Sequence, residues 1–150
     1  MRWRERLRRA RREEGSAIIE FVFLGVLMLV PLIYLVMALA RVQAGSYAVT
    51  TAAREAGRAF VTAEVGQDAA GRAHAASHVA FGDQGFEGMG TLDISCSTSP
   101  CLTPDARIET TAHVTVPLPL IPAFARDVVP LEIPLTASHL STVDRFRSSP

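Results

Sequence analysis

The sequence predicts an α+β chain in which a long N-terminal transmembrane helix continues into an extracytoplasmic helix that packs on a small antiparallel β-sheet. Two observations carry that expectation. Residues 21–40, FVFLGVLMLVPLIYLVMALA, form a run of twenty without a charge, and beyond Gly90 the apolar spacing changes from three and four to two. A third concerns charge: seven arginines (Arg2, Arg4, Arg6, Arg8, Arg9, Arg11, Arg12) face only Glu5, Glu13 and Glu14 before Ser16. The chain as a whole is neutral, so a head of +4 balances a body of −4. With 150 residues, 49% of them hydrophobic and 20% charged, it is neither disordered nor long enough for separate cofactor and substrate domains. All fifteen basic residues are arginine, which reflects composition bias and carries no function.

The elements follow in order. Residues 1–15 read as a basic cytoplasmic leader and 16–40 as the transmembrane helix. Twenty residues rise about 30 Å, the thickness of a bilayer core. Thirteen of them are Leu, Ile, Val or Phe, which favour insertion by about 4–8 kcal/mol in total. Pro31 removes one backbone hydrogen bond and is expected to kink the span. Arginines precede the span and only Arg41 follows it closely, so the N-terminus is expected in the cytoplasm and the body outside. Residues 41–81 are alanine-rich, with Val42, Val49, Ala53, Ala56, Phe60 and Ala63 on one stripe. They predict a helical stalk, with Gly66 and Gly71 marking a break or a second helix. Residues 82–150 predict a small β-rich domain of three or four strands, in 91–97, 107–118 and 128–143. Prolines at 117, 119, 122, 130 and 134 predict strands that are short, at edges or interrupted. Arg145–Pro150 reads as a solvated tail.

Cys96 and Cys101 bracket Ser-Thr-Ser-Pro and can close a small loop in an oxidising compartment. The spacing fits neither a CxxC redox motif nor a four-ligand zinc site, although free thiols are also open on spacing alone. His74 and His78 share a helix face without a third ligand, and neither a G-x-S-x-G elbow nor a phosphate-cradling glycine loop occurs. No metal, cofactor or catalytic constellation is therefore expected. The arginine-rich head, set beside a membrane span, reads as a topology determinant attracted to membrane lipid rather than a nucleic-acid arm.

One motif carries more information. Glu20 stands at the start of the apolar run, where a lone carboxylate is expensive and marks function by default. If a protease cut after Gly15, the α-amino group of Ser16 would lie about one helical turn from Glu20. The stretch Gly15-Ser16-Ala17-Ile18-Ile19-Glu20-Phe21 resembles the class III signal of type IV prepilins, in which the glycine precedes the cut and glutamate is the fifth mature residue. Together with Ala52-Ala53-Arg54-Glu55-Ala56-Gly57-Arg58-Ala59, it is similar to the TadE-like family, minor pilins or pseudopilins of the tight-adherence, Flp-type system. The resemblance covers about residues 11–60. It implies a pilin-like fold, processing by prepilin peptidase, and partnership with other pilins and pilus assembly platform proteins. In that reading Glu20 and Phe21 set the helix register, and the protein lies in the cell membrane or in the pilus. Pro31 sits further into the span than the family's proline, so kink geometry does not transfer. Two other readings stay open: a secreted module cut near Ala40 or Ala44, and a single-pass anchored envelope domain unrelated to pili. A Tat signal at Arg8-Arg9 or Arg11-Arg12 lacks the apolar residue expected after the pair.

Overall fold

The computed structural model describes residues 2–64, 66–119 and 132–146, with side-chain surroundings from residue 17 onward. Helix α1 spans Arg2–Val61 and helix α2 spans Ala69–Asp83. Three strands follow: β1 (Gly90–Cys96), β2 (Arg107–Pro117) and β3 (Glu132–Thr142). The fold is thus α+β, a long apolar N-terminal helix, a second helix and an antiparallel three-stranded sheet in the order β1-β2-β3. The chain divides into two compact units, Met1–Ala38 and Leu39–Pro150. In the first, α1 passes through Pro31 without losing its helical assignment.

The second unit holds the core. On β2 the even positions Ile108, Thr110, Ala112, Val114 and Val116 are buried, as period two requires of a strand covered on one face. The register places Leu92 and Ala137 beside Ala112, and Cys96 and Ser141 beside Ile108, on that same face. Helix α1 covers it with small residues: Ala48, Val49, Ala52, Ala53 and Ala56 are buried. Two glycines allow the closest approach. A Cβ at Gly45 would strike Val116 and Leu135, and one at Gly57 would strike the hydroxyl of Ser141 and crowd that of Thr110. Thr110, fully buried, donates its hydroxyl proton to the carbonyl of Ala53 at 2.7 Å, which satisfies a polar group inside the core. Helix α2 joins the same core at the β1 side of that face, with Phe81 against Gly90, where a Cβ would overlap the ring.

The helix break falls at Thr62–Asp68. Gly66 adopts φ +83° within it, a conformation that costs glycine nothing. Gly71 lies inside α2, where its amide donates to the Asp68 carboxylate that caps the helix, at 2.9 Å. At the other end Gly85, at φ +73°, turns the chain so that the Phe86 amide bonds the Phe81 carbonyl and the Phe86 ring enters the core. Of the alternatives the prolines left open, the described strands take the edge and the strand end rather than shortening. β2 and β3 each run eleven residues, because Pro117 is the last residue of β2 and Pro134 lies in β3, which is at the sheet edge. Pro122, Pro130, residues 128–131 of the third expected strand and the last four of the tail lie outside the described residues.

Candidate functional site

The first candidate site is the apolar stretch of α1. From Ala17 the helix is long and apolar enough to cross a membrane, with a mean hydropathy of 2.7 over its best window, none of it buried. The large apolar side chains from Ile18 to Leu39 are each 44–78% exposed. Within one helix they contact only their own neighbours, so in water they would form an apolar surface far larger than a soluble monomer normally presents. Lipid or other helices can cover it. Glu20 and Phe21 lie in this stretch, and both side chains are exposed. Gly15 and Ser16 belong to the same helix backbone, one turn before Glu20. The helix therefore brings these four residues onto one short segment, and no other element of the described structure joins them.

The second unit contains the remaining expected site residues. The Sγ atoms of Cys96 and Cys101 are at disulfide distance with Cα atoms 5.3 Å apart, tying the end of β1 to the following loop. His74 and His78 lie exposed on α2, and no group of three metal-ligating side chains occurs among the described residues.

Two features emerge that the sequence did not announce. Arg41, the first charge after the apolar run, folds back over the Phe86 ring with its guanidinium carbon 4.4 Å from the ring centroid. It also donates to the Gly85 carbonyl at 3.3 Å. On the open sheet face a polar row crosses all three strands. The His113 Nε2 lies 3.2 Å from the Asp93 carboxylate, and its Nδ1 lies 2.9 Å from the Thr136 hydroxyl. Thr111 and Ser138 join hydroxyls beside it at 2.9 Å. The residue types resemble a hydroxyl–imidazole–carboxylate relay. The Asp93 side chain is 80% exposed and that of His113 41%, so the row faces solvent and serves as cross-strand pairing. Strand alternation placed these residues on one face; only the register placed them in one row.

No family model matches this chain, and no curated protein or solved structure matches it significantly.

Proposed function

We propose that this protein is a membrane-anchored minor pilin or pseudopilin of the tight-adherence type, acting as a structural or assembly component without turnover. The observation that carries the reading is the character of α1. One helix contains Gly15-Ser16-Ala17-Ile18-Ile19-Glu20-Phe21, presents an exposed apolar surface over residues 22–40, and then buries an alanine and glycine stripe on a sheet. A helix of that kind can reside in lipid and later exchange lipid for neighbouring apolar helices, while its C-terminal part carries a folded unit outside. The basic leader holds the N-terminus in the cytoplasm, prepilin peptidase removes residues 1–15, and the freed amine of Ser16 on one chain neutralises Glu20 on another. That pairing removes the cost of a buried lone carboxylate and sets the axial register between helices. Other pilins and assembly platform proteins are the partners this mechanism requires.

The experiment is the intact mass and N-terminal sequence of the protein purified from its native membrane. The expected chain starts at Ser16. A start near Gly45 would replace this reading with a secreted module, and an intact Met1 with an anchored domain that is not processed.

A further inference from the structure

We propose that the turn formed by residues 84–89, together with Arg41, rests in the headgroup layer of the outer leaflet, so that the second unit meets the membrane through one defined rim. This inference rests on the membrane reading of α1. Within the second unit the two glycine approaches establish which end of the sheet lies beside the first residues of α1 in that unit: Gly45 meets Val116 and Leu135, whereas Gly57, twelve residues later in α1, meets Ser141 and Thr110. By register, Val114 pairs with Gly90 and with Leu135, so the start of β1 lies at the Gly45 end and Cys96, beside Ile108, lies at the Gly57 end.

The turn before β1 therefore belongs to the near end, and Arg41 contacts it directly through Gly85 and Phe86. The headgroup layer of a leaflet is about 5–7 Å thick, and at about 1.5 Å per residue a helix crosses it in roughly four residues. Arg41 is the residue after Ala40, the last of the uncharged run, so its side chain and what it holds fall within that layer. The chemistry of the turn suits the place. Gly85 and Gly88 turn the chain at positive φ without bulky side chains, and the Met89 amide donates to the Phe86 carbonyl at 3.0 Å, with the Met89 thioether side chain 43% exposed. Asp83 and Glu87 flank the turn and outnumber Arg41, whose guanidinium is already engaged. The partner is thus the zwitterionic headgroup region rather than an anionic lipid.

The test uses the full chain reconstituted in phosphatidylcholine vesicles, with a spin label at Met89→Cys and, as reference, at Thr142→Cys on the far end of β3. No free cysteine occurs otherwise, so each introduced thiol is labelled alone. The Met89 label is expected to be several-fold less accessible than the Thr142 label to a water-soluble nickel chelate, and more accessible to lipid-soluble oxygen. The ratio should not change when phosphatidylglycerol is added. Equal nickel accessibility at both sites in a chain that resists alkaline extraction overturns the rim contact alone, as does protection that appears only with anionic lipid. A chain that alkali extracts overturns the membrane reading and the rim contact with it.

Discussion

The two stretches of α1 use opposite means with the same secondary structure. From Ile18 to Leu39 the side chains are large, apolar and exposed, whereas from Gly45 to Gly57 the inward positions are glycine, alanine and one valine, all buried. A helix that must meet a sheet closely does so by giving up side-chain volume, and dispersion contacts between backbone and sheet replace it. A helix that meets lipid needs bulk and no particular complementarity. Hydrophobicity alone therefore does not distinguish the buried stretch of α1 from the exposed one; residue size does.

The contrast can be broken experimentally, beginning with the largest effect. Phe81→Ala removes a ring that is 1% exposed and packs on Gly90. It should cost about 3–5 kcal/mol, seen as a lower denaturation midpoint of the second unit in detergent. Reduction of the Cys96–Cys101 pair, or Cys96→Ser, should cost about 2 kcal/mol from the entropy of so small a loop. Melting with and without reductant measures it, and equal melting would contradict a bonded pair. Gly45→Leu should cost about 1–3 kcal/mol by overpacking, while Gly25→Leu, with nothing within 4 Å of its would-be Cβ, should leave the unfolding midpoint unchanged. Thr110→Val keeps the shape but removes the donor to Ala53, for a loss of about 1 kcal/mol. Smallest on stability is Glu20→Ala, which should leave melting as it is and, on the proposed function, leave membrane insertion intact but weaken co-purification with the proposed pilin partners; unchanged co-purification would remove the register role.

How much of this was legible in the sequence depends on the range of the interactions. The apolar run, the buried stripe at Val49, Ala53, Ala56 and Phe60, and the alternation of β2 are local periodicities that appear in the structure where the spacing put them, whereas Val42 of the expected stripe is only half-buried and Ala63 is buried just past the end of α1. The Cys96–Cys101 approach needed only five residues of chain. The contacts that escaped are the distant ones. Arg41 and Gly85 are 44 residues apart, His113 and Thr136 are 23 apart, and Thr110 and Ala53 are 57 apart. None of these pairs has a spacing signature, because sheet register and helix seating decide them. Phe86 escaped for another reason: it stands among glycines, where composition says loop, and only the Gly85 turn carries it into the core. The prolines left strand length open, because their effect depends on whether a strand is central or at an edge, and on where in the strand they fall, which a linear pattern does not contain.

The two glycine notches also act as a gear ratio. Between Gly45 and Gly57 the helix advances twelve residues, about 18 Å, while from Val116 to Thr110 the strand advances six, about 20 Å. Two helical residues therefore travel with one strand residue, and α1 runs nearly alongside β2. A slip of one tooth on either side fails: one residue along the strand turns its threonines and valines to the wrong face, and one residue along the helix offers Ala44 or Ser46 where only a hydrogen fits. The seating of this helix on its sheet is consequently a matter of whole-number meshing, so a residue inserted between Gly45 and Gly57 has no adjacent setting into which the sheet could shift.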